Sequence, residues 1–329
     1  MENPNPVTTE NSKEFLQTIQ KAVEQIKSEI RKIVIGQDKA IDLLLTSILS
    51  GGHVLLEGVP GIAKTLSAKV LSKTLAVQFS RIQFTPDLMP TDIVGTSVFN
   101  LKTSEFNFKK GPVFSNIVLV DEINRCPAKT QAAMFEVMEE KQISVDGVTY
   151  PMEFPFFVIA TQNPIEQEGT YKLPEAQLDR FLFRIKLTYP SLQEEKQILY
   201  RYKEDFDMRG INSVNPVLTA NDLKTLRHIV EKILIKDQLL DYIAEIVNQT
   251  RNTADLFLGA SPRASLAIMK SSKAFAAING RDFVIPEDIQ TVAYPVLNHR
   301  MILAPEKELE GVTIEDVIKE LISKIEVPR

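Results

Sequence analysis

The sequence predicts an α/β domain with a largely parallel sheet, followed by an all-helical domain. Short apolar runs at residues 53–58, 116–122 and 156–164 alternate with segments whose apolar residues recur at helical spacing. A glycine-containing loop follows the first of these runs directly. After Pro190 the apolar positions keep helical spacing to the end of the chain. Strand, loop and helix in alternation are typical of a parallel sheet covered by helices.

The composition limits the classes of protein to which the chain can belong. The 329 residues are enough for about two domains. The chain is 44% hydrophobic and 25% charged, as in ordinary globular proteins with a sizeable core. A net charge of −5 and a pI near 5.5 argue against a nucleic-acid partner, since proteins that bind nucleic acids normally carry a basic surplus.

The single cysteine, Cys126, excludes an intramolecular disulfide and a cysteine cluster for zinc. A reducing compartment is therefore expected. The first residues are polar and lack the basic-then-apolar order of a secretory signal. No apolar run approaches the roughly 20 residues that a membrane-spanning helix needs. We therefore expect a cytoplasmic protein without a membrane span.

Two helices are predicted before the first strand. Residues 1–11 form a predicted disordered tail, and Asn11 with Glu14 is a plausible helix start. A turn at Gly36 separates this first helix from a second amphipathic helix, which ends at the Gly51-Gly52 pair.

The α/β domain is predicted to span residues 12–190, and the helical domain residues 191–329. Besides the three apolar runs, residues 180–189 are a predicted strand and residues 65–75 a predicted helix. Helix starts in the second domain are predicted from capping residues and first-turn prolines at Ser191, Thr219, Ser261-Pro262, Pro286 and Thr313.

The loop "GVPGIAKT", residues 58–65, differs by one residue from the phosphate-binding pattern G-x-x-x-x-G-K-[ST]. It follows a predicted strand and opens a predicted helix, where backbone N–H groups and the helix N-terminus bind phosphate. Lys64 would contact the β- and γ-phosphates of a nucleotide, and the Thr65 hydroxyl would coordinate Mg²⁺. The alternative is a chance strand–turn–helix sequence.

The one departure from the pattern is Ala63, which replaces the second glycine. Gly58 and Gly61 remain for the tight curvature of the loop. An alanine is tolerated where the backbone angles are those of a helix, so we expect Ala63 to have a negative φ. A positive φ would contradict this argument.

Polar residues also follow the second and third apolar runs. Asp121 would hold Mg²⁺ through water, and Glu122 would polarise the attacking water. An Asp-Glu pair after a strand is usually a solvated loop, but its combination with the phosphate loop favours a catalytic role. Asn163 would orient the same water, and its alternative is a simple Asn-Pro turn.

These three elements resemble the Walker A, Walker B and sensor 1 elements of AAA+ ATPases. The segment "ATQNPIEQEGTYKLPEAQLDRF" closely resembles the signature of the MoxR family within that superfamily. "GVPGIAKT" is similar to the MoxR form of the loop, in which alanine before the lysine is common. "VIGQDKAI", "DEINRCPAKTQAAMFEVMEE" and "GASPRASLAIMKSSKAFAAI" extend the resemblance over roughly residues 30 to 300.

The resemblance implies a P-loop AAA+ core followed by an all-α lid domain, with ATP and Mg²⁺ as cofactors. Thr65 and Asp121 would hold the metal, the latter through water. The residues it implies for nucleotide binding are Ile35, Gly36, Gly58, Val59, Pro60, Gly61, Ile62, Ala63, Lys64, Thr65, Leu66 and Asp121.

The resemblance also implies catalytic arginines. Arg180 matches the arginine finger that acts on ATP held by the neighbouring subunit, and Arg184 is a second candidate. The alternative for Arg180 is a salt bridge to Asp179 or to a lid carboxylate. Arg263 matches sensor 2 and opens a helix, where a cation opposes the helix dipole, so a tertiary partner such as phosphate is expected.

Two insertions fit the resemblance. Residues 85–115 are too long for a simple connection and match a hairpin-like insert. Residues 141–156 carry Asp-Gly between alternating residues, which predicts a hairpin. In ring ATPases such elements face the pore and touch the client; the alternative is an exposed hairpin without a function.

The function that the resemblance implies is ATP hydrolysis coupled to chaperone-like remodelling or maturation of client protein complexes. Expected partners are further copies of the chain in an ATP-dependent hexamer, a protein with a von Willebrand factor A domain, and the client complex. The alternatives are a magnesium-chelatase-like motor subunit, a nucleic-acid motor, and a nucleotide-binding module that hydrolyses nothing.

Overall fold

The computed structural model of the chain describes residues 9–164, 169–204 and 209–328. The helices are α1 (Thr9–Arg31), α2 (Asp38–Ser50), α3 (Lys64–Thr74), α4 (Pro90–Val94), α5 (Ala128–Glu140), α6 (Glu175–Leu178), α7 (Leu192–Glu204), α8 (Ala220–Glu231), α9 (Asp237–Asn252), α10 (Pro262–Ile278), α11 (Pro286–Leu297), α12 (Pro305–Leu309) and α13 (Ile314–Lys324). The strands are β1 (His53–Glu57), β2 (Phe79–Gln83), β3 (Gly95–Asn100), β4 (Glu105–Lys110), β5 (Ile117–Asp121), β6 (Gln142–Val145), β7 (Val148–Pro151), β8 (Phe157–Gln162), β9 (Phe181–Lys186), β10 (Leu256–Leu258) and β11 (Ile302–Leu303).

The chain divides into two compact units. The α/β unit contains residues 28–41 and 52–223, and the helical unit contains residues 42–51 and 224–329 with the described part of 1–27.

The α/β unit is built on a five-stranded parallel sheet with the order β2-β5-β8-β1-β9. Every residue of β1 and β5 is buried, as are the first five of β8, which explains why apolar residues dominate these strands. The predicted parallel sheet is confirmed. Because β5, β8 and β1 are neighbours, the polar residues that follow them lie at one edge of the sheet.

The strand β2 does not stand out in the sequence. Its residues "FSRIQ" include two apolar side chains, and Ile82 alone is buried. It lies at the outer end of the sheet beside β5, where Gln83 pairs with Asp121. Strand β2 therefore brings the polar side chains of Arg81 and Gln83 to Asp121 and Glu122, which we call the acidic pair.

The two predicted hairpins are confirmed as β3–β4 and β6–β7. Asp146 and Gly147 have φ values of 51° and 78° in the turn between β6 and β7, as a two-residue hairpin turn requires. The two hairpins contact each other, since the rings of Phe108 and Tyr150 lie 4.6 Å apart. The Ser97 hydroxyl also donates to the Asp146 carboxylate.

The boundary between the compact units differs from the predicted boundary near residue 190. Residues 191–223 belong to the α/β unit, and hydrogen bonds join them to the end of α1 and to α3. Arg201 in α7 donates to the carbonyl oxygens of Arg31, at 3.0 Å, and Lys32. Lys73 in α3 donates to the Ile211 carbonyl oxygen at 2.9 Å. After Pro190 the chain therefore changes from strands to helices but stays in the α/β unit.

The helical unit packs α9, α10, α11 and α13 together. The buried face of α10 is rich in alanine, which lets neighbouring helices approach closely. One detail of the all-helical prediction is wrong, since β10 and β11 form a short antiparallel ribbon. Among the described residues, no helix combines the length and apolar character that crossing a bilayer would require.

Several predicted helix starts are confirmed. The hydroxyls of Thr219 and Thr313 each accept from the backbone N–H three residues later, and the Ser191 N–H donates to the Glu194 carboxylate at 2.7 Å. Ser261 precedes α10 as predicted, but its side chain makes no capping bond. The first helix begins at Thr9, so residues 9–11 are helical and the predicted tail is wrong there. The rest of that tail lies outside the described residues.

Candidate active site

The loop at residues 58–65 joins the buried strand β1 to the helix α3. The Gly58 N–H donates to the Gln162 carbonyl oxygen at 3.3 Å, which fixes the start of the loop on β8. A Cβ atom on Gly58 would lie 2.3 Å from Ile62 Cδ1 and 3.2 Å from the Leu187 carbonyl oxygen, so a side chain there would require the Ile62 side chain to move. Gly61 has a φ of 87°, a conformation that favours glycine.

The expectation for Ala63 is wrong. Its φ is 65° and its ψ 22°, which is left-handed backbone at the residue that precedes α3. The loop therefore keeps the conformation that suits a glycine, although the side chain is a methyl group. Left-handed backbone costs a non-glycine residue roughly 1–2 kcal/mol, and such strain persists where the surrounding structure imposes it.

Lys64 folds back over the loop that precedes it. Its Nζ donates to the Gly58 carbonyl oxygen at 2.5 Å and lies 3.4 Å from the Gln162 carbonyl oxygen. The ammonium group is thus held between the first residue of the loop and the end of β8, and Lys64 also lines the cavity beside the loop.

The acidic pair and the loop are joined by hydrogen bonds. The Thr65 hydroxyl donates to Asp121 Oδ2 at 3.3 Å, and the Thr161 hydroxyl donates to Asp121 Oδ1 at 2.9 Å. Thr161 Oγ1 in turn accepts from the Glu122 N–H at 3.0 Å. One threonine of β8 therefore orients both members of the acidic pair.

The residues present fit a magnesium ion. Thr65 and Asp121 offer a hydroxyl and a carboxylate oxygen, the hard ligands that Mg²⁺ prefers. In the part of the chain that the structure describes, no group of three or more His, Cys, Asp or Glu side chains is placed to hold a metal. Mg²⁺ commonly takes one or two protein oxygens and completes its shell with phosphate and water, so this donor set suits a metal that arrives with a nucleotide.

Three side chains outside the predicted set contact the acidic pair. Arg81 Nε donates to Asp121 Oδ2 at 2.6 Å. Gln83 Nε2 donates to Glu122 Oε2 at 2.7 Å, and the Arg125 guanidinium lies 3.2 Å from the same oxygen. Both carboxylates are thus held by cationic or amide donors.

Glu122 has a strained backbone. Its φ of 57° and ψ of 52° are left-handed, and they turn the chain sharply out of β5 into the turn Ile123–Arg125. Such strain is concentrated at functional sites, where it aims a side chain that regular structure would point elsewhere. Asn163 follows β8 directly, at the same sheet edge, and is buried.

A cavity of about 390 Å³ lies beside the phosphate loop. This volume is in the usual range for small-molecule sites, roughly 300–1,000 Å³. It is lined by Ile33, Val34, Ile35, Gly61, Ala63, Lys64, Thr65, Leu66, Ile198, Arg201 and Tyr202. The end next to Lys64 is polar, while the three residues before Gly36 supply an apolar wall suited to a nucleotide base.

The helical unit holds a larger cleft of about 600 Å³, with walls from α11 and α13 and the residues after them. Its lining includes Tyr294, Glu315 and Ile322 but no part of the phosphate loop or of the acidic pair. This cleft has the larger volume, but the smaller cavity is the one that residues of the phosphate loop line. We therefore take the smaller cavity as the candidate nucleotide site.

The two candidate arginines of the α/β unit have different surroundings. Arg184 Nε and a terminal nitrogen donate to the two oxygens of Glu57 at 2.8 and 2.7 Å. Arg180 donates to the Phe135 carbonyl oxygen at 2.7 Å and lies 3.7 Å from Glu139 Oε2, with 32% of its side chain exposed. Arg184 is therefore committed to its own chain, and Arg180 is the better candidate for a finger.

Arg263 is exposed in the first turn of α10, in the helical unit, so its role toward nucleotide remains a prediction. Residues 165–168, which belong to the segment that most resembles the MoxR signature, lie outside the described residues.

The structure brings most predicted residues of the α/β unit together and adds others. Ile35, Leu66 and the loop residues from Gly61 to Thr65, apart from Ile62, line one cavity, while Val59 and Pro60 lie in the same loop. The side chains of α7 in the cavity wall were missed, because nothing in their local pattern distinguishes them from other helix residues. Arg81 and Gln83 were missed because β2 itself was not predicted.

Comparisons with known proteins identify the family of the chain. Residues 53–183 match the family described as "ATPase family associated with various cellular activities (AAA)", and residues 248–321 match the AAA lid domain. The chain is 44% identical over 312 residues to Chaperone MoxR1 of Mycobacterium tuberculosis, covering 92% of this chain and 81% of that protein. It is 46% identical to the uncharacterized protein YeaC of Bacillus subtilis, covering 94% of each.

A solved structure agrees over the whole fold. The crystal structure of a protein from Cytophaga hutchinsonii that is assigned as an ATPase superposes with a TM-score of 0.89 at 42% identity. The match covers 97% of this chain and 99% of the other.

Proposed function

Because the chain belongs to the MoxR family of AAA+ ATPases, we propose that it hydrolyses ATP to ADP and phosphate in a magnesium-dependent reaction. The observation that carries this proposal is the hydrogen-bonded series Thr65–Asp121–Thr161–Glu122, which joins the phosphate loop to an acidic pair beside a nucleotide-sized cavity. Phosphate binding, metal binding and activation of water are thereby combined at one sheet edge.

Each residue has a role that follows from its position. Lys64 and the backbone N–H groups of the loop hold the β- and γ-phosphates, and Thr65 and Asp121 hold the metal. Mg²⁺ supplies positive charge that neutralises the charge developing on the transferred phosphoryl group. Glu122 accepts a proton from the attacking water, since its carboxylate is held by Gln83 and Arg125 next to the metal ligand.

Asn163 and the arginines complete the proposed reaction. Asn163 aligns the attacking water, Arg180 acts on ATP bound by a neighbouring copy, and Arg263 contacts phosphate from the lid. An active site shared between copies requires a homo-oligomer, which we propose to be a hexamer formed with ATP. We place this assembly in the cytoplasm.

The work that hydrolysis performs is proposed to be remodelling of client protein complexes, together with a von Willebrand factor A partner. Support comes from the relative named Chaperone MoxR1 and from the tip of β3–β4. There Phe99, Leu101 and Phe106 are 45%, 87% and 72% exposed. Exposed apolar groups clustered on a hairpin tip are a typical contact surface for another polypeptide.

The proposed reaction is tested by replacing the general base. Glu122→Gln should bind ATP as the parent does but release phosphate at least about 100-fold more slowly, since a general base contributes roughly 10²–10⁴ in rate. Glu136→Gln is the matched control, because Glu136 is exposed on α5 and loses the same charge. Equal rates in the parent and Glu122→Gln would remove Glu122 from the mechanism; a parent that binds no ATP would overturn the proposal.

The client role needs a separate test. Glu122→Gln held in ATP should retain a client that is released in ADP, because only the ATP-bound ring is expected to grip it. Adding Phe99→Ser and Phe106→Ser should abolish this retention without changing the affinity for ATP. Retention that is independent of nucleotide, or unaffected by the two serines, would contradict the proposed role of the hairpin.

A further inference from the structure

Arg81 places a positive charge on the carboxylate that the proposed metal needs. Its Nε lies 2.6 Å from Asp121 Oδ2, the same oxygen that accepts the Thr65 hydroxyl. The other oxygen of Asp121 accepts the Thr161 hydroxyl. Oδ2, the oxygen on the side of Thr65, is thus in contact with a cation that the chain itself supplies.

Burial explains why this carboxylate has a charged partner. The side chain of Asp121 is 8% exposed, whereas that of Arg81 is 52% exposed. A buried carboxylate without a countercharge is costly, so the Arg81 guanidinium offsets the burial of the Asp121 charge. Because the Arg81 guanidinium already faces water, it loses little free energy when it leaves Asp121. The buried Asp121 carboxylate loses more when the contact is broken.

A second contact holds Arg81 in place. A terminal nitrogen of Arg81 donates to Gln83 Oε1 at 2.9 Å, and Gln83 donates to Glu122 at 2.7 Å. Residues 81 and 83 lie on the same face of β2 because side chains alternate along a strand. Strand β2 thus presents one donor to each carboxylate of the acidic pair.

We propose that Arg81 is a positioning residue that substitutes for the metal cation beside Asp121 and competes with Mg²⁺ for it. This inference rests on the proposed function. Two cations close to one carboxylate repel each other, so Arg81 beside Oδ2 weakens the binding of Mg²⁺ at Asp121. Arg81 thereby raises the Mg²⁺ concentration that tight nucleotide binding requires and supplies Asp121 with a countercharge whenever Mg²⁺ is not bound.

The test measures how binding of a fluorescent ADP analogue by the full chain depends on Mg²⁺, which avoids turnover. Arg81→Gln should lower the half-saturating Mg²⁺ concentration about threefold to tenfold, as expected for removing one nearby cation. Arg81→Lys keeps the charge and should stay close to the parent. Lys69→Gln removes one exposed positive charge from α3 and should also stay close to the parent.

Thermal unfolding supplies a second readout. Without nucleotide and with a chelator, Arg81→Gln should melt below the parent, and saturating Mg²⁺ with ADP should remove most of that difference. An unchanged Mg²⁺ dependence, or a melting deficit that Mg²⁺ and ADP do not relieve, would overturn the proposal and leave Arg81 a purely structural role. Equal weakening of ADP binding with Mg²⁺ and with chelator would instead identify a phosphate ligand and also overturn it. A parent that binds no ADP would contradict the proposed function.

Discussion

Glu57 and Arg184 form a bidentate ion pair between the neighbouring strands β1 and β9, with nitrogen–oxygen distances of 2.7 and 2.8 Å. Glu57 is the last residue of β1 and directly precedes the phosphate loop. The pair therefore links the end of the sheet to the strand that positions the loop. Both arginines have partners in their own chain: Arg184 pairs with a carboxylate, whereas Arg180 donates to the Phe135 carbonyl oxygen and keeps 32% of its side chain exposed.

Removing Arg184 should be more costly than removing Glu57. Arg184→Ala leaves a carboxylate that is 9% exposed without its partner, and we expect a loss of about 3 kcal/mol in the free energy of unfolding. Glu57→Ala should cost less, because the guanidinium is 26% exposed and can turn toward water. Urea denaturation measures both values, and the double variant should lose less than the sum of the single losses.

Arg180→Ala is the matched control for these measurements. It removes the same charge from a more exposed position, and we expect a cost of about 1 kcal/mol or less. Equal losses for Arg184→Ala and Arg180→Ala would show that the Glu57–Arg184 pair contributes nothing specific in solution.

Mixing two inactive variants tests whether Arg180 acts between copies. Arg180→Ala and Lys64→Ala should each lose ATPase activity, the first for lack of the finger and the second for lack of the phosphate-binding lysine. In a mixed ring, a copy with an intact loop can lie next to a copy with an intact Arg180, so the mixture should recover part of the activity. Mixed rings that form, as shown by differently tagged copies, but remain inactive would place Arg180 on its own chain's ATP.

Replacing Ala63 by glycine should stabilise the folded protein. Ala63→Gly relieves the left-handed strain, partly offset by the greater flexibility of glycine in the unfolded chain, and should raise the free energy of unfolding by about 0.5–1 kcal/mol. Ala76 provides a matched control, because its φ of 47° is also left-handed and it does not line the cavity. Both glycine variants should gain stability in urea denaturation. A loss for Ala63→Gly beside a gain for Ala76→Gly would show that Ala63 has a different backbone in solution.

The sequence predicts the features of the fold that neighbouring residues determine, and it misses the features that depend on tertiary contacts. The buried strands β1, β5 and β8 are predicted because burial on both faces makes them continuous apolar runs, and their final polar residues predict the site. Strand β2 is not predicted because Ile82 is its one buried residue. The contacts of Arg81 and Gln83 with the acidic pair therefore become evident only in the assembled sheet. The backbone of Ala63 was mispredicted because the loop, and not residue preference, sets its φ.

The boundary near residue 190 illustrates the same limit. A change from strands to helices is visible in the pattern, but the hydrogen bonds from Arg201 to the carbonyl oxygens of Arg31 and Lys32 join residues about 170 positions apart. Such pairings depend on tertiary packing, and no spacing rule predicts them. The side chains that α7 contributes to the cavity are missed for the same reason.

Cys126 should report on unfolding. The side chain is fully buried three residues after the acidic pair's turn begins, and burial raises the pKa of its thiol from its usual 9.0 to about 12. The thiol is therefore both protonated and shielded at neutral pH, and iodoacetamide at pH 8 should leave it unmodified in the native protein but modify it in urea. Glu136→Cys adds an exposed thiol as a control, and this second thiol should react at once. Because the folded pKa is raised, the stabilising effect of the neutral thiol is complete below pH 9 and is lost as the pH rises toward 12. Rapid modification of both thiols in the native variant would show that the turn around Cys126 opens without global unfolding.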